Sequence, residues 1–386
     1  MPTTAKPVAM NDLGRQTKVL LGPVSAAVQR VVESGWYIAG RECAAFEEEF
    51  AAYCGAGHCI GVGNGTDALE LALRALRIGQ GDRVATVANA GGYSTTAIRA
   101  IGAEPLYIDI EPDSMNMAAA DLAARLTPDT RAVIATHLYG GMAELPALLA
   151  VTSKAGLPLV EDCAQAHGAS LDGRKAGAWG ALGCFSFYPT KNLGALGDGG
   201  AVTTNDLALA QRVKALRQYG WTRRYECAEY GRNSRLDEMQ AAILRVKLPH
   251  LDGWNTRRRA IASAYTAALA GTGLAGPCDL GEAYVAHLYV VRCAARDGDD
   301  MQTILGRRGA VRAALLRAGI ATDIHYPVPD HHQKAAASAL ADGTLPVTDR
   351  SALEILTLPC HAELADDEVE QVVSALHSLA REVPFG

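Results

Sequence analysis

Residues 183–202 read GCFSFYPTKNLGALGDGGAV. Two apolar runs, 183–188 and 200–204, have strand composition, and a loop between them carries one lysine, Lys191, in a Gly-rich setting. A lone lysine is usually a solvated surface group. Here it follows an aromatic strand end and precedes a return into a second strand, which places it on a loop above a sheet. A lysine partly withdrawn from water there loses part of its proton affinity and becomes a usable amine nucleophile.

Outward from this loop the chain alternates. Strand candidates lie at 83–89, 104–110, 130–138 and 157–163, separated by Ala/Leu-rich helical stretches. Their near-continuous apolarity suits a sheet buried on both faces, and strand–helix alternation predicts a mainly parallel α/β sheet between helix layers. The best-marked helix is 66–77, with Leu69, Leu71, Ala72 and Leu76 at helical spacing. Residues 235–270 read as a long helix or two abutting ones, interrupted by Pro249, a bridge into a region of different rhythm. That region offers a strand at 287–293, a helix at 307–318, a second strand near 320–325 and a closing helix near 366–382. The expected organisation is a large domain over 1–250 with an N-terminal arm, and a smaller α+β domain over 251–386.

Two further segments converge on the same chemistry. Gly61-Val62-Gly63-Asn64-Gly65-Thr66-Asp67 stands at a helix start, where backbone N–H groups and the helix dipole favour an anion; a structural turn explains it equally well. Val160-Glu161-Asp162-Cys163-Ala164-Gln165 puts two acids at the carboxyl end of a buried strand, where open α/β sheets place ligands. A carboxylate there needs a cationic partner, such as a protonated ring nitrogen, unless it only caps a helix. A phosphate cradle, a carboxylate for a ring nitrogen and a lysine for an aldehyde are together what pyridoxal phosphate asks of a protein.

The stretches GVGNGTDALELALRAL (61–76), EDCAQAHGA (161–169), the lysine segment and GRNSRLDEMQAAIL (231–244) resemble the DegT/DnrJ/EryC1/StrS family of sugar aminotransferases. The resemblance runs from about residue 11 to the C-terminus. It implies the fold type I arrangement of pyridoxal-phosphate enzymes, with a seven-stranded-type sheet. It further implies a Schiff base on Lys191, Asp162 against the pyridinium nitrogen and Gln165 beside the ring hydroxyl. Gly65, Thr66 and Ser186 would hold the phosphate, and Asn233 would reach the phosphate of a partner subunit in a homodimer with shared sites. Tyr93 aligns with the ring-stacking aromatic, although Gly92 stands where the family has Thr. His325 and Tyr326, in a His-Tyr-Pro-x-Pro-x-His segment, and Trp36 and Tyr37 are the expected substrate contacts. The reaction implied is a two-stage transamination through pyridoxamine phosphate, from L-glutamate to a nucleotide-linked keto sugar, a dTDP-3-keto-6-deoxyhexose by the histidine segment.

Composition narrows the alternatives. The chain of 386 residues is 49% hydrophobic with a net charge of -6, against nucleic-acid binding. No window approaches the ~20 apolar residues of a membrane span. Nine scattered cysteines without a Cys-x-x-Cys pair suit reduced thiols in the cytoplasm. No metal is expected: His331 and His332 read as an exposed loop beside prolines, without acid or cysteine support. Gly63-x-Gly65-x-x-Ala68 fits a loose dinucleotide fingerprint, but the next strand ends in Asn89 where a dehydrogenase wants an acid. A dehydratase relative carries His in place of the lysine. A regulatory homologue would have no reason to retain every cofactor position.

Overall fold

The computed structural model describes residues 7–278, 281–294, 298–336 and 343–382. Seven strands form one sheet, in the spatial order His58–Val62, Gly200–Thr204, Leu182–Ser186, Leu159–Asp162, Thr130–Thr136, Arg83–Val87 and Glu104–Ile108. Five of them, from Leu182–Ser186 to Glu104–Ile108, pair in parallel. Gly200–Thr204 runs antiparallel to both of its neighbours, so the sheet is mainly parallel with one reversed strand.

The continuous apolarity of the strands is explained by two covered faces. Along Thr130–Thr136, Ala132 and Ile134 join one core with Leu69, Leu71, Leu73, Ile98 and Val213. The alternate residues Val133 and Ala135 join the other, with Phe46, Phe50, Leu145 and Leu244. The period-2 alternation of a strand thus feeds two hydrophobic layers rather than one core and one solvated face.

After the sheet, the helix Glu238–Lys247 passes through a 3-10 turn at Leu248–His250, holding Pro249, into the helix Leu251–Ala268. This is the expected interruption, since proline lacks the N–H that a continuing helix needs. A third core gathers Ile261, Tyr265, Val311, Leu315, Val372 and Leu376 around the strands Tyr289–Arg292 and Ile355–Leu358. Val8 from the N-terminal arm also belongs to it.

The strand expected near 320–325 is corrected: only single bridges, Ile320 to Val8 and Asp323 to Thr357, occur there. The partner of Tyr289–Arg292 is Ile355–Leu358. A four-residue apolar run at the end of a helical stretch carries no periodicity that separates strand from helix. The helix expected at 307–318 starts earlier, at Met301, where the Asp300 side chain accepts from Thr303 N.

All nine cysteines are free thiols, and all but Cys227 and Cys278 are buried. Among the described residues no helix is long and apolar enough to cross a membrane.

Candidate functional site

Three adjacent parallel strands end at Thr136, Asp162 and Ser186, with Thr136 opposite Asp162 in register. All three line one cavity of about 710 Å³ at the carboxyl edge of the sheet. Gly65, Thr66, Tyr93, Gln165, Lys191, His325 and Tyr326 line the same cavity. Nine of the twelve residues singled out from sequence therefore meet in one place. Trp36, Tyr37 and Asn233 do not line it; the two aromatics are 63% and 48% exposed, and Trp36 Nε1 donates to the nearby Ile38 carbonyl.

The helix Gly65–Ala75 points its N-terminus into the cavity, capped by Asn64, whose side chain accepts from Asp67 N. A Cβ on Gly65 would stand 2.7 Å from Ser186 Cβ, so only glycine lets the helix start and the strand end approach so closely. The result is a ring of donors at a positive helix end, suited to a phosphate.

Asp162 is 6% exposed, and one of its carboxylate oxygens accepts from Ala164 N at 3.1 Å. Burial raises its pKa, against the pull of the Ala164 N–H and the nearby Lys191. Lys191 shows the opposite sign: burial lowers its ammonium to about 8, and only the attraction of Asp162 holds it up. Its loop is tightly made, with Lys191 N donating to Tyr188 O at 2.8 Å and Ala195 N to Phe187 O at 2.8 Å.

Glu161, the other acid of the pair, points the opposite way, as strand alternation requires. Its carboxylate accepts from the backbone N–H groups of Gly177, Trp179 and Gly180 at 2.7–2.9 Å and faces His137 Nε2 at 3.1 Å. His137 Nδ1 accepts from Ala143 N, so Nε2 carries the proton and donates. Burial would raise the Glu161 pKa, but these donors outweigh it and the carboxylate stays ionised. Glu161 is thus a structural clamp and Asp162 the acid offered to the cavity.

On the opposite wall, Gln165 Nε2 donates to Tyr326 Oη at 3.2 Å, and Tyr93 meets Tyr326 edge-on with ring centroids 6.2 Å apart. Gly91, at φ 84°, admits Tyr326: a Cβ there would stand 2.9 Å from that ring. Gly92, at φ 83°, caps the helix Tyr93–Ala100 in a left-handed conformation that a β-branched Thr adopts only with strain. The hydroxyl missing at Gly92 has a counterpart nearby, where Thr95 Oγ1 donates to Asp330 Oδ2 at 2.6 Å.

His331 is not on an exposed loop: it is 7% exposed, and Nε2 of both His331 and His332 lies 2.8 Å from Asp349 Oδ1. The acid absent from the local sequence arrives from a distant helix start, and hydrogen bonding accounts for the geometry. Sequence reading also missed Thr136 and His287 as cavity residues. Thr136 ends a strand and was visible by position alone; its Oγ1 is buried and unpartnered among the described residues.

The sites a pyridoxal phosphate needs are all present: a donor-rich helix end, a desolvated carboxylate with spare acceptor capacity and an amine of lowered basicity. The unpartnered Thr136 hydroxyl fits a group seated among them.

Comparison with known proteins agrees in length and shape. The profile of the DegT/DnrJ/EryC1/StrS aminotransferase family matches residues 23–377. The dTDP-3-amino-3,4,6-trideoxy-alpha-D-glucose transaminase of Streptomyces venezuelae is 42% identical over 375 residues, covering 96% of each chain. The erythromycin biosynthesis sensory transduction protein EryC1 of Saccharopolyspora erythraea is 44% identical over 368 residues, 95% of this chain and 97% of that one. The crystal structure of S. venezuelae DesV in complex with a ketimine intermediate superposes with a TM-score of 0.91 at 41% identity, covering 98% of this chain and 100% of that chain. With a site of matching geometry and a likeness that spans nearly all of its length, the chain belongs to the DegT/DnrJ/EryC1/StrS aminotransferase family.

Proposed function

We propose that the protein is a pyridoxal-phosphate-dependent aminotransferase that moves the amino group of L-glutamate onto the keto carbon of a nucleotide-linked hexose, a dTDP-3-keto-6-deoxyhexose. The observation that carries this reading is the convergence of Lys191, Asp162, Ser186 and the Gly65–Thr66 helix end in one cavity.

Bound there, the cofactor supplies an electron sink that lets an amino group be carried between two carbons. The chain supplies the rest. Gly65, Thr66 and Ser186 bind the phosphate. Asp162 keeps the ring nitrogen protonated, since a desolvated carboxylate strongly favours a cation beside it. Gln165 would sit beside the ring hydroxyl, and Tyr93 would cover the ring face. Lys191 anchors the aldehyde. With its pKa lowered to about 8, roughly one Lys191 in ten is uncharged at pH 7, some two orders of magnitude more than for an ordinary lysine. Once free, Nζ would act as general base at the α-carbon of the donor and as general acid toward the cofactor carbon, moving the proton from one to the other.

The sugar end of the pocket is read from His325 and Tyr326. His325 Nδ1 pairs with Thr357 Oγ1 at 2.9 Å, and Tyr139 Oη donates to the His325 carbonyl, so this wall is held from two sides. The 3-position of the keto group is favoured by the 3-amino product named for the 42%-identical transaminase. Trp36, Tyr37 and Asn233, outside the cavity of their own chain, are assigned to the site of a second copy in a homodimer. The nine free thiols suit a cytoplasmic setting.

The test is direct. Incubation with L-glutamate and a panel of nucleotide-linked keto hexoses is expected to release 2-oxoglutarate. Lys191→Ala is expected to keep the fold and bind cofactor without a borohydride-sensitive link, but to lose turnover. Absence of 2-oxoglutarate with every sugar overturns the reading.

A further inference from the structure

Asn192, the residue after Lys191, has both ends of its side-chain amide fixed. Its Nδ2 donates to Asn255 Oδ1 at 2.8 Å and to Val285 O at 3.0 Å. Asn255 Nδ2 in turn donates to the carbonyl of His167 at 2.8 Å, which leaves its Oδ1 as the end turned to Asn192. Backbone carbonyls only accept, so both amides have a single consistent orientation. Asn192 Oδ1 is therefore an acceptor, and it lies 3.0 Å from His287 Nδ1. That contact is a hydrogen bond only if His287 Nδ1 carries a proton.

His287 is 8% exposed, and burial first, then the nearby Lys191 and Arg258 charges, hold its pKa well below the usual value. A neutral imidazole protonated at Nδ1 has a bare lone pair at Nε2. His287 and Lys191 line the same cavity. Among the described residues neither His287 Nε2 nor Lys191 Nζ has a hydrogen-bond partner, so an unused acceptor and an unused donor line one cavity.

We propose that His287 is a positioning residue for Lys191, its Nε2 accepting one N–H of the free amine so that the Nζ lone pair is aimed at the carbon whose proton it moves. This rests on the assignment of Lys191 as the proton carrier. An uncharged amine has two N–H bonds and one lone pair; fixing one N–H removes most of the rotation that would turn the lone pair away. Asn192 performs two tasks at once: it anchors the loop that carries Lys191 and sets the tautomer of the imidazole that orients it, as second-layer bonds do for ligating histidines.

The proposal is tested first without turnover. In the apoenzyme labelled with 15N-histidine, the His287 resonances, identified by their loss in His287→Asn, are expected to show a neutral ring protonated at Nδ1 at pH 7. A ring protonated at Nε2, or doubly protonated, overturns it. The second test is the half-reaction with L-glutamate alone, followed by the cofactor absorbance. His287→Asn keeps an N–H near the Nδ1 position and deletes the acceptor at Nε2. It is expected to slow this half-reaction roughly ten- to hundredfold at saturating glutamate, with cofactor affinity and melting temperature unchanged. His287→Gln, which restores an acceptor near Nε2, is expected to be faster than His287→Asn. A half-reaction at the wild-type rate in His287→Asn overturns the proposal. So does an effect confined to KM for the sugar, which makes His287 a sugar contact. Lys191→Ala separates the two levels: turnover by that variant removes the assignment of Lys191 itself, whatever His287 does.

Discussion

Lys191 and Gly65 show how much of the site depends on single atoms. The ammonium of Lys191 loses its proton near pH 8 because burial disfavours the charge. Only the neutral amine attacks an aldehyde, so the rate at which apoenzyme takes up pyridoxal phosphate is expected to rise with pH and level off above about 8, rather than climbing to the 10.5 of a solvated lysine. Asp162 is the group that raises this pKa, so in Asp162→Asn the plateau is expected at lower pH. Stopped-flow mixing across pH measures both. Gly65→Ala puts a methyl group 2.7 Å from Ser186 Cβ. The helix start and strand end must separate, at about 1–3 kcal/mol, so cofactor titration is expected to show binding weaker by roughly ten- to hundredfold with the fold retained.

At the level of elements, the clamp on Glu161 explains why the loop after strand Leu159–Asp162 holds its shape. One buried carboxylate takes three backbone N–H bonds from residues 177–180 and a fourth from His137. Glu161→Gln keeps the volume but turns an NH2 toward donors, and is expected to cost about 3 kcal/mol in urea unfolding. This clamp marks the boundary of what the sequence reveals. The motif showed two adjacent acids at a strand end, and period-2 alternation required that they point apart. Which one meets the cavity follows from how residues 177–180 fold back, a tertiary fact. The lysine segment was legible because its residues are local: strand end, Lys191, Gly-rich return. Thr136 was marked only by its place at a strand end, and His287 not at all: it reaches the cavity from the bend before Tyr289–Arg292, distant in sequence, and carries no local motif. The strand Ile355–Leu358 was missed for a related reason, since its only marker is pairing with Tyr289–Arg292.

For the whole molecule, the proposed homodimer with shared sites makes a strong prediction. Lys191→Ala should be inactive through its own lysine, and Asn233→Asp should be crippled through the carboxylate it sets against the partner's phosphate. After mixing and reassortment, half of the dimers are hybrids, and each hybrid holds one intact site. Activity near about a quarter of wild type is therefore expected from two variants that are inactive alone. No recovery in dimers shown to have exchanged would place both residues in the same chain's site.

The distribution of the thiols makes the protein a reporter of its own integrity. Burial pushes up the pKa of Cys43, Cys54, Cys59, Cys163, Cys184, Cys293 and Cys360, which are closed to solvent and chemically quiet. Only Cys227 and Cys278 face water. A thiol reagent should therefore titrate two groups quickly in the native protein and all nine once the chain opens. The slow phase measures opening of the cores. Because Cys163 directly follows Asp162, and Cys184 lies opposite Asp162 in register, protection of that pair by added cofactor would register the closing of the site with no substrate in the tube.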